Sequence, residues 1–463
     1  MKVAVLTPLP PARTGVAHYA SMLLPALARR VEVRAFDSLE GYRRADFDQV
    51  IYHLGNNPHH EFVYAEAMRE TGTIVLHDLV LHHLIVEMTL ARGDVEGYVA
   101  ALEANHGAAG AAWARGRAAG LHSEMGNFLL PASIDVANRS HAVIVHNHYA
   151  KNRLESFGVT TPIHVVGHPY VQAEPVAFDR SRLGITPGSR VIGFFGFLTS
   201  AKRAEVVLEA FRIARERDPR LVLLIVGQPA PNIEVPEGEG IITTGYVADE
   251  DFPAYYAAAD RFVNLRYPSA GETSGTLIRA LDAGKPVAVS DYAQFAELPD
   301  AIAVKIPFDR ELEALTDFFL REIADPSREQ RAWLEENASL ERAVDGYMRA
   351  LQSGAAGFSP PKRSGGLKPA APLFPQLELI EATTGAIVVK NIGDTTLRTK
   401  TYGTPEYRLI ANDRWFSLPC DLAPGETATI DVRLEAGPLR LYHAIQDVPM
   451  LPPEPFACST ITR

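Results

Sequence analysis

A short polar loop, GETSG at residues 271–275, carries side chains that could do chemistry. The segment before it, RFVNLR (261–266), has the apolar, β-favouring composition of a buried strand. The segment after it, TLIRALDA (276–283), has apolar residues at helical spacing, and Gly284 and Pro286 end that helix before the next apolar run. This order of strand, loop, helix and strand predicts a βαβ unit, whose loop lies at the carboxyl edge of a parallel sheet.

The residue types in this loop suit an anionic, sugar-like ligand. Free N–H groups and the helix dipole make the start of the helix, at Thr273, Ser274 and Gly275, an anion site. The carboxylate of Glu272 beside them could accept hydrogen bonds from a sugar hydroxyl. A second interpretation is that Glu-Thr-Ser only caps the helix, and the loop by itself leaves both interpretations open.

Another strand-to-helix junction, FFGFLTSAKR at 194–203, places two cations at the same kind of sheet edge. Gly196 lets the backbone approach a ligand closely. Lys202 supplies a point charge and Arg203 a bidentate fork, both suited to phosphate. Cations at a helix start oppose the helix dipole, which makes a bound anion more favourable there. The alternative is a solvated basic turn without a ligand.

The pair His77-Asp78 ends an apolar strand in the amino-terminal half of the chain. A neutral imidazole at His77 could hydrogen-bond a substrate hydroxyl, and Asp78 could cap the helix that follows. His82 and His83 are adjacent on that predicted helix and therefore point in different directions. Among the histidines near this pair, His53, His59, His60, His82 and His83, no two have the H-x-x-x-H spacing that places metal ligands on one helix face, so no bound metal is expected.

Composition restricts the class of protein. The 463 residues carry a net charge of −11 and 47% apolar residues, which is typical of soluble proteins without broad affinity for nucleic acid or anionic membranes. The amino-terminal apolar run is too short for a signal peptide, and no run is long enough to span a membrane. We therefore expect a cytoplasmic protein, with peripheral membrane contact through a local basic patch left open. Cys420 and Cys458 give no disulfide framework and are expected to be buried thiols.

The chain divides by its pattern of strands and helices. Residues 1–170 and 177–352 each show alternating strands and helices, which predicts an α/β fold of two doubly wound, Rossmann-like domains. A helical insertion is expected after His77, and the last helix, LERAVDGYMRALQ, is expected to pack back on the first domain. Residues 352–376 are rich in Pro, Gly and Ser and predict a linker. Residues 377–463 show alternation and closely spaced turns, which predicts an all-β sandwich.

Several of these segments together resemble one family. FFGFLTSAKR, LLIVG, GYV, YYAAADRFVNL and GETSGTLIRALDAGKPVAVSD are similar to the GT-B-fold glycosyltransferases of family 4 (glycosyl transferases group 1), which are retaining enzymes that use nucleotide sugars. The resemblance covers residues 1 to about 352 and is clearest over 190–300. The amino-terminal TPLPPARTGVAHYA also looks like the glycine loop of that family.

The resemblance implies a role for each matching residue. Lys202 and Arg203 would hold the donor diphosphate. Glu272 would contact the donor sugar, and His77 would contact it from the opposite domain. These four residues form the expected catalytic set. The expected donor-binding set consists of Gly15, Gly196, Lys202, Arg203, Tyr246, Glu272, Thr273, Ser274 and Gly275, with Tyr246 beside the nucleobase.

Two positions depart from the family pattern. A second glutamate, which binds the donor ribose in that family, is replaced by Arg279 when the chains are aligned on Gly284, or by Ala280 when residues are counted from Glu272. Phe197 stands where an arginine usually follows the loop glycine. Neither Arg279 nor Ala280 can accept a hydrogen bond as a carboxylate does, so the recognition of the ribose differs.

The resemblance implies a retaining transfer of a sugar from a nucleoside-diphosphate sugar to a glycan, small-molecule or lipid-linked acceptor, in glycan or polysaccharide biosynthesis. No cofactor and no metal are expected beyond the nucleotide-sugar co-substrate. A GT-B nucleotide-sugar epimerase and a non-catalytic sugar- or nucleotide-binding protein are the alternatives. The carboxyl-terminal segment resembles Ig-like accessory modules, in which Trp415 and Tyr442 are interpreted as core aromatics rather than as a sugar platform.

Overall fold

Short runs of aliphatic and β-branched residues form the strands of two parallel sheets, as expected for strands covered on both faces. The computed structural model describes residues 1–354 and 377–461, except for 13, 122–125, 173, 175, 231–232, 237, 239, 249–250, 394–395, 398, 400–406, 413, 446–447 and 450–455. Most of the linker predicted at 352–376 therefore lies outside the described residues.

The first sheet is parallel throughout and has the strand order β2-β1-β3-β4-β5-β6. Its strands are β1 (Lys2–Leu6), β2 (Glu32–Phe36), β3 (Gln49–Leu54), β4 (Thr73–Leu76), β5 (Ala142–Val145) and β6 (Ile163–Val165). The helices of this part of the chain are α1 (Gly15–Leu27), α2 (Glu61–Arg69), α3 (His82–Met88), α4 (Val95–Ala118), α5 (Gly126–Leu129), α6 (Ile134–Asn138) and α7 (His148–Ser156). The helical insertion predicted after His77 corresponds to α3 to α6.

The second sheet is also parallel and has the order β12-β11-β10-β7-β8-β9. Its strands are β7 (Arg190–Phe195), β8 (Leu221–Val226), β9 (Ile241–Thr243), β10 (Arg261–Asn264), β11 (Val287–Ser290) and β12 (Val304–Ile306). The helices are α8 (Ala204–Arg217), α9 (Phe252–Ala258), α10 (Gly275–Asp282), α11 (Glu311–Leu320), α12 (Ser327–Asn337) and α13 (Leu340–Gly354). Of these helices, α11, α12 and α13 follow β12.

The last of these helices, α13, belongs by packing to the first sheet. Its buried face, with Val344, Tyr347 and Leu351, shares a hydrophobic cluster with Val3 and Val5 of β1. The hydroxyl of Tyr347 also lies 2.9 Å from that of Tyr19 on α1. The chain thus returns from the second sheet to the first before the carboxyl-terminal part begins.

The carboxyl-terminal part forms two antiparallel sheets, with the orders β13-β14-β17 and β16-β15-β18-β19, and β20 pairs with β18. The strands are β13 (Leu377–Ala382), β14 (Ala386–Asn391), β15 (Tyr407–Ala411), β16 (Arg414–Ser417), β17 (Thr427–Asp431), β18 (Gly437–Ile445), β19 (Val448–Pro449) and β20 (Ala457–Ile461). Side chains of both sheets, such as Ile387, Ile430, Leu409 and Leu441, share one hydrophobic core.

Two predictions for this part are wrong. Trp415 and Tyr442 are both opposite Ile410 in the register, on the sheet face that points away from Leu409 and Leu441, and they are half-buried outside the core. Strand alternation places them there, and residue type alone does not show which face is covered. Cys420 and Cys458 are free, as expected, but both are exposed rather than buried.

Candidate active site

A cavity of about 1640 Å³ opens between the carboxyl edges of the two parallel sheets. The second sheet follows the order of a Rossmann fold, in which β7 and β10 are neighbours and the chain leaves them in opposite directions. The loops after β7 and β10 therefore meet at the switch point. They carry Gly196 and Lys202 on one side and the GETSG loop on the other, and all of these except Gly271 line the cavity.

Lys202 is buried at this switch point. Its Nζ donates a hydrogen bond to the backbone oxygen of Phe195 at 2.7 Å. Gly196 has a φ of +85°, which favours glycine, and a Cβ there would collide with Lys202 Nζ. Burial lowers the pKa of Lys202 well below its ordinary value, and the charge of Arg266 lowers it further. The charged ammonium form is therefore disfavoured, although the charge of Glu272 partly offsets these effects, and an anion in the cavity would stabilise it.

The start of α10 adds backbone donors. Ser274 caps the helix, because its Oγ accepts the N–H of Leu277 at 3.3 Å. The hydroxyls of Ser274 and Thr276 donate to Asn264 Oδ1 at 2.9 and 3.0 Å, which ties the loop to β10. The N–H groups of the first helical residues, Gly275 and Thr276, have no intrahelical acceptor, and both residues line the cavity. The helix start thus both caps itself and can bind an anion.

Glu272 is held in place by neighbours on its own loop. Its Oε1 accepts from Arg266 Nε at 3.2 Å, and its Oε2 accepts from Ser269 Oγ at 3.0 Å. Gln294 donates to the backbone oxygen of Glu272 at 2.7 Å. Sequence reasoning missed Arg266, although its position at the end of the RFVNLR segment was a signal. Arg266 lines the cavity beside Lys202 and Glu272 and brings a further positive charge.

Arg203 does not join this group. Its guanidinium forms an ion pair with Glu311 at the start of α11, with Nε 3.1 Å from each carboxylate oxygen. Glu311 is 0% exposed, and Arg203 is absent from the cavity lining in the described structure. Arg203 is thus paired with Glu311 instead of facing the cavity, and its expected contact with the diphosphate stays a prediction. The reason for the pairing is the buried carboxylate, which needs the guanidinium as its partner.

The first domain contributes His77 and Asp78 from the end of β4. His77 is buried, and its Nδ1 lies 3.1 Å from His146 Nε2. Burial lowers the pKa of His77 well below its ordinary value, so the imidazole is neutral. The carboxylate of Asp78 accepts the N–H of Asn56 at 2.7 Å, so the prediction that it caps the next helix is wrong. Burial, with the charge of Glu272 across the cleft, raises the pKa of Asp78 to about 7.

Replacing Asp78 by asparagine should change how stability depends on pH. The pKa of Asp78 is raised from 3.8 to about 7 in the folded protein, so between these pH values the folded state keeps a proton that the unfolded state has lost. The wild type therefore loses stability as the pH rises through this range. Asparagine still offers an oxygen to Asn56 and carries no charge. We expect the advantage of Asp78→Asn over the wild type to grow by on the order of 2 kcal/mol between about pH 5 and about pH 8. Urea unfolding at both pH values measures it, and a difference independent of pH contradicts the raised pKa.

Tyr246, which is expected beside the nucleobase, lines the cavity together with Phe197 and Arg279, two positions that depart from the family pattern. Tyr246 and Phe197 line the cavity and are 53% and 60% exposed. Arg279, on the cavity side of α10, has its Nη2 3.3 Å from Nε2 of His18 on α1, and its guanidinium lies over the ring of Phe252 at 5.1 Å. Arg279, one of the two residues that can align with the second family glutamate, thus connects the two domains.

The structure therefore brings together nearly all of the predicted site residues. The cavity is lined by His77 and Gly15 from the first domain and by Gly196, Lys202, Tyr246, Glu272, Thr273, Ser274 and Gly275 from the second. Arg203 alone among the predicted residues lies outside this lining in the described structure. In the described part of the chain, no group of three or more His, Cys, Asp or Glu side chains is arranged to hold a metal ion, and no helix is long and apolar enough to cross a bilayer.

Comparison with known proteins shows that the second domain is similar to glycosyltransferases. Residues 189–318 match the family described as Glycosyl transferases group 1. The chain is 29% identical over 129 residues to the alpha-monoglucosyldiacylglycerol synthase of Streptococcus pneumoniae. That match takes in 26% of this chain and 28% of that protein, so it spans little more than a quarter of the relative.

Solved structures with the same two-sheet arrangement define the fold as GT-B. Sucrose-phosphate synthase from Thermosynechococcus elongatus is 16% identical, with a TM-score of 0.54 over 77% of this chain and 100% of that chain. Anabaena HepE in complex with UDP and glucose is 15% identical, with a TM-score of 0.50 over 76% of this chain and 100% of that chain. At these identities the likeness concerns the fold alone.

Proposed function

We propose that this protein transfers a sugar from a nucleoside-diphosphate sugar to an acceptor hydroxyl, with retention of the anomeric configuration. One observation carries the proposal: Lys202, the start of α10 and Glu272 from one domain meet His77 from the other domain at a single cleft. The first two suit a diphosphate, and the last two suit sugar hydroxyls. The match of residues 189–318 to a glycosyltransferase family supports the same conclusion.

In the proposed reaction the residues act mainly by stabilising charge. The bond between the anomeric carbon and the diphosphate oxygen breaks, and negative charge grows on the leaving diphosphate. Lys202 and the N–H groups of Gly275 and Thr276 are fixed before the reaction, and preorganised donors of this kind stabilise developing charge strongly. The arrangement supplies this charge stabilisation from the chain itself, so we expect turnover to persist in EDTA.

The sugar would lie between the two domains. Glu272 is oriented by Arg266 and Ser269, so its carboxylate can accept hydroxyl hydrogens from a fixed position. His77 reaches the same cleft from the opposite side, and closure of the two domains would bring both onto one sugar. We expect attack from the face of the leaving group, with a phosphate oxygen taking the proton of the acceptor.

A panel of nucleotide sugars tests the proposal. The full chain is incubated with UDP-, GDP- and ADP-sugars and with glycan, small-molecule and diacylglycerol-containing acceptors, and binding, hydrolysis and the product anomer are followed. UDP-glucose is the first probe, because the Anabaena neighbour was crystallised with UDP and glucose. Transfer with the same anomeric configuration is the expected result.

Other outcomes of this panel have definite meanings. If no nucleotide sugar binds, the transferase and the epimerase are both wrong. If the sugar is converted to its epimer without an acceptor, the epimerase is correct. If nucleotide sugars bind without turnover even when acceptors are supplied, the protein is a non-catalytic binding protein. The missing second glutamate is the feature that favours this last alternative, because neither Arg279 nor Ala280 carries a carboxylate.

A further inference from the structure

Beside the cleft, histidine rings from different strands surround one buried tyrosine. The rings of His77, His168, His146 and His53 lie 4.5, 5.1, 5.3 and 5.6 Å from the ring of Tyr19. The proposed transfer uses His77 and gives the others no role. Their hydrogen bonds decide where the ring protons lie.

Three neighbouring strands of the first sheet place a row of polar groups at their carboxyl ends. Leu76 of β4 pairs with Val145 of β5, and Val145 pairs with Val165 of β6. The next residue on each strand, His77, His146 and Val166, therefore lies in the same row at the sheet edge. His77 Nδ1 is 3.1 Å from His146 Nε2, and His146 Nδ1 is 2.9 Å from the backbone oxygen of Val166.

The hydrogen bond to the backbone oxygen of Val166 determines which ring nitrogens of His146 and His77 carry protons. The oxygen of Val166 can only accept, so His146 carries a proton on Nδ1. Burial lowers the pKa of His146 to about 4, so at neutral pH its Nε2 has a lone pair and accepts. His77 must then donate from Nδ1. Since burial and the neighbouring histidines keep His77 neutral, its Nε2 also carries a lone pair.

That second nitrogen of His77 is unused by the protein. His77 Nε2 is buried without a hydrogen-bond partner among the described residues, and His77 lines the cavity. A buried acceptor without a donor is energetically unfavourable, so a bound hydroxyl that donates to it would recover stability. A carbonyl or phosphate oxygen would find no donor there.

We propose that His146 is a positioning residue that fixes His77 in the Nδ1-protonated tautomer, so that the cleft offers an acceptor nitrogen to a hydroxyl of the donor sugar. The tautomer is a property of the protein alone, whereas the sugar contact rests on the proposed function. The two parts can therefore fail separately.

Ring-nitrogen NMR tests the first part without any ligand. In the full chain labelled with ¹⁵N-histidine, His77 should show a protonated Nδ1 and an unprotonated Nε2, assigned by the signals lost in His77→Gln. His146→Leu should release His77 into the other tautomer or a mixture, and His146→Gln, whose amide oxygen can accept, should restore the Nδ1 proton. If Nε2 of His77 is protonated in the wild type, or if its state is the same in His146→Leu, the inference is overturned.

Binding tests the second part. His146→Leu should weaken UDP-glucose about tenfold, the effect of one lost hydrogen bond, and leave the affinity for UDP within about twofold. His60→Leu is the control for the loss of a buried histidine, because His60 is also buried, bonds the backbone oxygen of His53 at 2.8 Å and, unlike His146, is not among the described residues that line the cavity. It should change neither affinity. Equal losses for UDP and UDP-glucose in His146→Leu would overturn the sugar contact, and a wild type that binds neither probe would refute the proposed function while leaving the NMR result valid.

Discussion

Replacing Lys202 by alanine is expected to weaken the binding of the donor nucleotide by roughly 30- to 1000-fold, equivalent to about 2–4 kcal/mol. The ammonium group lies at the switch point of the second sheet, held by the backbone oxygen of Phe195 and next to the start of α10. Its hydrogen bond goes to a neutral acceptor and Glu272 offsets its charge only in part, so a diphosphate would supply the missing counter-charge. Titration calorimetry with UDP-glucose measures the loss.

The control variant keeps the shape of the side chain and removes its charge. Lys202→Met should lose as much affinity as Lys202→Ala, because both lack the ammonium group. Binding of uridine, which has no phosphate, should be unchanged in both variants. If uridine weakens as much as the diphosphate, the effect comes from a distorted pocket. If the diphosphate binds as in the wild type, Lys202 has no part in the site.

The sequence allowed the two loops of the second domain to be found because each follows a clear local pattern. A buried strand, a loop with glycine and a helix start all depend on neighbouring residues, so RFVNLR, GETSG and TLIRALDA could be assigned from local composition, spacing and end signals. The rule that parallel strands end at one sheet edge then predicted that the GETSG loop and Lys202 face the same side. Both line the cavity.

What the sequence could not show depends on long-range contacts. Lys202 and Arg203 are adjacent and both cationic, and nothing in the local sequence shows which of them lines the cleft and which does not. The two residues differ in placement because of Glu311, which lies 108 residues further on and forms an ion pair with the guanidinium of Arg203. His146 likewise gains its role only because β4 and β5 are neighbours in the sheet.

The carboxyl-terminal part illustrates the same limit. Alternation predicted short antiparallel strands correctly, since it depends only on residues two apart. It did not predict which face of the antiparallel sheet that contains β15, β16 and β18 packs against the other antiparallel sheet. Trp415 and Tyr442 were therefore assigned to the core. The exposure of Cys420 and Cys458 was misjudged because it was inferred from residue type rather than from position.

Replacing Arg203 by alanine should cost the fold, and not the donor site, about 3–5 kcal/mol. Glu311 is 0% exposed and receives hydrogen bonds from the guanidinium of Arg203, so the variant leaves a buried carboxylate without its partner. Urea unfolding of the wild type and of Arg203→Ala measures the loss of stability. The affinity for UDP-glucose, taken at a temperature where the variant is folded, should stay within a fewfold of the wild type.

A double variant separates the lost ion pair from lost packing. In Arg203→Met with Glu311→Leu neither charge is present, and replacing a buried pair by apolar groups of similar volume is often neutral or stabilising. We therefore expect the double variant to recover most of the stability that Arg203→Ala loses. If Arg203→Ala instead keeps its stability and loses the donor as strongly as Lys202→Ala does, the guanidinium leaves Glu311 when the nucleotide binds. The ion pair would then belong only to the ligand-free protein, and both members of the Lys202-Arg203 pair would hold the diphosphate as the sequence first indicated.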